Sequence, residues 1–114
     1  MPENLHDLAT HSISRDGLTH EELSRELGLL GSRWWISDGE LRLDLAGPMA
    51  RTGIAAAFAG TLADELDHHP RIVLDSAGLT LTIRDRETRK VTIIDLVFAA
   101  RLEQWLRNNG WPPS

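Results

Sequence analysis

His68 and His69 stand side by side, followed by Pro70 and preceded by Asp64 and Asp67. Histidine is the side chain whose ordinary titration lies near neutrality, so it can give and take protons under working conditions. Two imidazoles beside carboxylates suit acid/base chemistry, one ring delivering a proton while the other accepts one. Asp64 lies one helical turn before His68, a spacing at which the two side chains would pair. Adjacent histidines cannot comfortably ligate one ion, and no cysteine or histidine at i+4 supplements them, so no metal is expected. The plainer alternative is that the pair finishes a helix and one ring bonds its last carbonyls, helped by the helix dipole.

Three other groups could bear on chemistry. Asp95 follows Thr92 by three residues, so it would either cap a helix or orient a histidine or a ligand. Arg84, Arg86, Arg89 and Lys90 form a basic cluster beside Asp85 and Glu87. This is a solvated loop, or a surface for a ligand or partner. Of Trp34 and Trp35, one ring should pack the core and the other meet a neighbour or ligand. His6, His11 and His20 are expected in solvent.

The elements that must position these residues follow from periodicity. Residues 1–17 are polar and mixed, end in the turn signal Asp16-Gly17, and read as a flexible lead-in. Thr19 with Glu22 is a capping box, and Leu23, Leu27 and Leu30 recur at helical spacing up to Gly31. Trp34 to Ile36, then Asp38-Gly39, then alternating Leu41, Leu43 and Leu45 predict a hairpin with one buried face. Gly47-Pro48 breaks the strand and opens a helix from Met49 to Asp67, which Pro70 ends. Ile54, Phe58, Leu62 and Leu66 form an i,i+4 ladder on it, and Ala56, Ala57 and Gly60 leave room for close approach elsewhere.

Ile72 to Leu74, a turn at Ser76-Ala77-Gly78, and alternating Leu79, Leu81 and Ile83 predict a second hairpin. The last helix starts near Thr92 and is apolar on several sides, with Ile94, Phe98, Leu102 and Trp105 on one and Ile93, Leu96, Val97 and Ala100 on others. So wide an apolar surface predicts an oligomer interface. The order is α-β-β-α-β-β-α, an α+β fold with a four-stranded antiparallel sheet and three helices on one face.

Composition bounds what this fold can do. At 114 residues with 41% apolar and 25% charged residues, the chain is one ordinary globular domain. A net charge of −5 argues against nucleic acid or an anionic membrane as partner. No apolar run approaches the roughly 20 residues of a spanning helix, and no signal peptide is visible. The absence of cysteine excludes disulfides and thiolate chemistry. A reducing cytosol suits a chain without cysteine, and a cytoplasmic location is expected.

The element order, together with Asp-His-His-Pro closing the second expected helix, resembles the pterin-4a-carbinolamine dehydratase family. The likeness runs from about Leu18 to Trp105, inside an expected domain of residues 18–111. It implies a metal-free dehydratase without a cofactor, which removes the 4a-hydroxyl of a tetrahydropterin as water. On this likeness His68 and His69 match the family's paired catalytic histidines. Asp64, Pro70 and Asp95 match its substrate-site residues. The family's strand aromatic falls on Ser76, and its third histidine falls on Arg86. Lys90-Val91-Thr92 stands where the family usually reads Gly-Leu-Thr or similar. An arginine does not deprotonate at working pH, but Arg86 could hold an anionic or carbonyl-bearing ligand. The resemblance also implies a homodimer or homotetramer built through helix faces. A second role comes with it: a non-catalytic protein-binding factor, as in the family's transcription cofactors and Rubisco assembly factors. A third is a small-molecule binder without turnover.

Overall fold

The computed structural model describes residues 2–14, 16–83 and 90–113. Its elements are α1 (Leu5–Ala9), α2 (His20–Leu30), β1 (Trp34–Ser37), β2 (Glu40–Leu45), α3 (Met49–Leu66), β3 (Arg71–Asp75), β4 (Gly78–Ile83) and α4 (Ile93–Asn108). The four strands form one antiparallel sheet in the order β1-β2-β4-β3. The expected α+β order is therefore present from α2 onward, with a fourth helix, α1, ahead of it.

Local chemistry accounts for the hairpins. Asp38 and Gly39 both take positive φ, 51° and 76°, as a tight two-residue turn requires. In the second hairpin, Asp75 Oδ1 accepts the Ala77 N–H at 2.9 Å and closes the turn. Gly78 follows with φ +133°, and a Cβ there would lie 2.4 Å from the Leu45 carbonyl oxygen. Only glycine lets β4 begin so close to the end of β2.

Alternation in the central strands behaves as read. Leu41, Leu43 and Leu45 on β2 are buried and face Ile83, Leu81 and Leu79 on β4 in register. These cross-strand pairs form the floor of the core. The opposite sheet face carries Trp35, Arg42, Asp44 and Thr80.

Three expectations fail, and two of them share a cause. Residues 1–17 are not a lead-in outside the domain. Asn4 caps α1 by accepting the Asp7 N–H at 2.9 Å, and Leu8 and Ala9 are each 2% exposed. α1 lies on α4, where the Arg101 guanidinium donates to the Ala9 carbonyl at 2.9 Å. This answers the surplus apolar surface of α4: its several faces are covered within the chain by α1, α2, α3 and the sheet, so they do not mark an interface. Leu96, Val97, Phe98, Ala99, Ala100 and Leu102 are all at most 1% exposed. The first five residues of helix were missed because so short a segment shows no periodicity.

The third failure concerns α3. Its buried face is Thr52, Ala55, Ala59, Leu62, Ala63 and Leu66, while Ile54 is 61% exposed. Leu62 and Leu66 of the ladder are buried and Phe58 packs against the core, while small side chains complete the buried face, let α3 approach closely and leave Ile54 outside. Phe58 stacks on Trp105 with ring centroids 4.9 Å apart. Among the described residues no helix is long and apolar enough to cross a membrane.

Candidate active site

The His pair is placed by how α3 ends. The helix stops at Leu66, and Asp67 takes a left-handed conformation with φ 49° and ψ 47°. The His68 N–H reaches back to the Ala63 carbonyl at 3.0 Å, and the Asp67 N–H to Asp64 at 3.4 Å. This is a Schellman-type stop, in which a left-handed residue turns the chain away from the helix axis. The reversal therefore happens three residues before Pro70, which follows it and leads into β3. Asp67 fills the left-handed position because aspartate tolerates it better than most side chains.

The stop sends the two rings in opposite directions. His68 turns inward and is 7% exposed. Its Nε2 hydrogen-bonds Asp95 Oδ1, a carboxylate with no exposed surface. His69 turns outward, and its Nε2 lies 3.2 Å from Asp64 Oδ1, with both side chains more than half exposed. The expected Asp64–His68 pair is thus replaced by Asp64–His69. The i,i+4 geometry holds only inside a helix, and α3 has ended before either histidine. An exposed pair of this kind orients His69 and contributes little to stability.

Asp95 occupies the third position of α4. Its Oδ2 accepts the Thr92 backbone N–H at 2.7 Å and the Thr92 hydroxyl at 3.3 Å. The two expected roles, cap and histidine orienter, are filled by the two oxygens of one side chain. A buried carboxylate needs such partners to offset its lost hydration. The segment before α2 completes the frame. The Ile94 N–H donates to the Ser14 carbonyl at 2.9 Å, the Ile93 N–H to Asp16 at 3.4 Å, and Gly17 bridges Thr92. Residues expected to be a loose leader therefore fix the helix end that carries Asp95.

This arrangement can move protons at a defined atom. The carboxylate accepts from His68 Nε2, so that nitrogen carries a hydrogen, and Nδ1 is the atom left to give or take a proton. His69 stands at the surface on Asp64.

The remaining expected residues fall elsewhere or out of view. Arg86 and the neighbouring residues 84, 85 and 87–89 lie outside the described residues. Ser76 sits in the β3–β4 turn, not in a strand. Trp34 is buried, and its indole N–H donates to Glu103 Oε1 at 2.9 Å. Trp35 is 43% exposed on the outer sheet face, where its N–H reaches Asp44 at 3.1 Å and the Arg42 guanidinium lies 5.1 Å from its ring centroid. Hydrogen bonding from Arg42 holds the Asp44 carboxyl below the ordinary carboxylate range, with Thr80 and Trp35 assisting and burial opposing.

Two buried carboxylates were not foreseen. Glu103 accepts Arg33 Nε at 2.7 Å, Arg107 Nε at 2.6 Å and the Trp34 indole. Its signal was a lone acid on an otherwise apolar side of α4, with Arg107 at i+4. Glu26 on α2 is 4% exposed, and no pattern in the sequence marked it.

No known family model matches the chain, and no curated protein sequence matches it. Among solved structures, the crystal structure of a transcriptional coactivator/pterin dehydratase from Brucella melitensis matches with a TM-score of 0.71. Sequence identity to it is 21%, and the match covers 78% of this chain and 97% of that one. The chain therefore has the pterin dehydratase-like fold.

Proposed function

We propose that the protein is a hydro-lyase that eliminates water from a 4a-hydroxytetrahydropterin or a related cyclic carbinolamine, with His68 and His69 as proton carriers. The observation that supports this most is the buried His68–Asp95 pair, with exposed His69 next to it in the sequence. The fold shared with a structure described as a pterin dehydratase agrees with it.

In this reading one histidine protonates the departing hydroxyl, and the carbon–oxygen bond breaks to release water. The ring nitrogen's electron pair forms the new carbon–nitrogen double bond, and the other histidine takes that nitrogen's proton. Each such role is typically worth about 10²–10⁴ in rate. Asp95 fixes the His68 ring so that Nδ1 faces the reaction, and Asp64 steers His69. Pro70 shapes the turn beneath the substrate, and Arg86 holds its anionic or carbonyl edge. The protein works in the cytoplasm as a homodimer or homotetramer. With α4 covered, the apolar surface for this is Ile54 on α3 with Leu74 on the α3 side of the edge strand β3, both exposed. Light scattering on the purified chain tests the assembly.

Chemically generated 4a-hydroxytetrahydropterin should lose water faster with the protein than without, and His68→Ala or His69→Ala should remove the difference. No acceleration at micromolar protein would sink the dehydratase reading.

A second reading is a non-catalytic factor that binds or assembles another protein. It is favoured by Trp35, Val73 and Leu74 standing exposed on the sheet, and by the coactivator description of the similar structure. A stoichiometric partner retained by both His variants would select it.

A further inference from the structure

Glu26 Oε2 is fully buried and has no hydrogen-bond partner among the described residues. Glu26 itself is 4% exposed, in the second turn of α2. It lines a cavity of about 140 Å³ between α1, α2 and α4, whose other walls include Leu8, Leu18, Leu96, His11 and Glu22. That volume matches a cavity of about 150 Å³ known to take up a benzene-sized molecule. The walls are apolar except for two carboxylates and one imidazole. Glu22 commits Oε1 to the Thr19 N–H at 3.0 Å, and Glu26 is the lining carboxylate with a buried oxygen that lacks a donor. The Arg25 guanidinium donates to the Pro2 carbonyl at 2.9 Å.

We propose that this cavity binds a small amine, a compact apolar body bearing a protonated nitrogen that donates to Glu26 Oε2. A buried carboxylate oxygen without a donor is costly, and an ammonium group removes that cost while the apolar body covers Leu8, Leu18 and Leu96. A neutral ligand could donate to Glu26 but would lack the ion pair that an ammonium makes with it. The site is separate from the His pair, since Leu96 and Asp95 point to different sides of the first turn of α4. It stands or falls independently of the dehydratase reading.

Benzylamine is the probe, because its ring fits the volume and its nitrogen is protonated at neutral pH. Titrated into the full chain, it should give saturable amide shifts at Leu8, Glu26 and Leu96 in ¹H–¹⁵N spectra. Benzyl alcohol, with the same ring and no charge, should bind about tenfold or more weakly by comparison, and Glu26→Gln should weaken benzylamine to a similar degree. Absence of saturable shifts at millimolar benzylamine would overturn the proposal. So would equal binding of the alcohol, or unchanged binding in Glu26→Gln. In those cases the cavity holds only water. If circular dichroism shows that Glu26→Gln has not folded, the comparison of amine with alcohol on the unsubstituted chain decides alone.

Discussion

Asp95 and Glu103 lie on one helix about two turns apart, and neither has any exposed surface. Their partners separate them. Glu103 is held by Arg33, Arg107 and Trp34, groups that do not exchange protons near neutrality. Asp95 is held by the Thr92 cap and by His68, an imidazole with a second ring nitrogen left for another partner. Saturation by arginine makes a carboxylate a fixed strut between β1 and α4. Pairing with a histidine and a helix cap gives the other a partner that, in the proposed dehydratase reading, it would orient for proton transfer. Burial alone does not separate the two carboxylates; the chemistry of the partner does.

Four substitutions bear on this contrast. The largest effect should come from His68→Ala, which is expected to lower the dehydration rate about 10²–10⁴-fold while the chain stays folded by circular dichroism. A rate unchanged by it would break the contrast at once. Glu103→Ala should act the other way. It leaves two arginines around a buried gap and should cost about 3–5 kcal/mol in urea unfolding, with turnover intact in the molecules that remain folded.

Leu8→Ala should fall between the two kinds. Removing a buried leucine costs about 2 kcal/mol or more. Because α1 belongs to the same segment whose carbonyls cap α4 beside Asp95, turnover should fall along with stability. A loss of stability with full activity per folded molecule would show that this segment does not position Asp95.

The smallest effect belongs to a third carboxylate, the exposed Asp44. Its titration is depressed by Arg42, so the folded state holds the proton less tightly than the unfolded chain does. Its contribution to stability is therefore present above the unfolded carboxylate range and lost as pH falls through the folded value. Asp44→Asn should flatten the acid limb of the stability curve by less than about 1 kcal/mol, since the pair is solvent-screened. Urea midpoints measured between pH 2 and 6 (roughly the carboxylate range) would show it.

Much of this contrast was visible in the chain itself. The Thr92-x-x-Asp95 cap, the Asp38-Gly39 turn and the Leu alternations in β2 and β4 were legible because each depends on neighbours in sequence. The His68-His69 pair was legible as a candidate, and the choice of Asp95 as a histidine orienter was one of two open readings. The Asp64–His68 pairing failed because it assumed a helix that continued through His68, whereas a left-handed Asp67 ends it early.

What the sequence by itself determined was element type, the hairpin turns and which face of the central strands is buried, since these rest on local propensity and on periods of two or 3.6 residues. Tertiary structure decided which ring went inward, which face of α3 was buried, and which surface covered α4. Those outcomes depend on close packing and on pairings across long stretches of chain: His68 with Asp95, Glu103 with Arg33, α1 with α4. No local period carries that information. The N-terminal segment shows this most clearly, for nothing in its own residues signals that it secures the far end of the molecule.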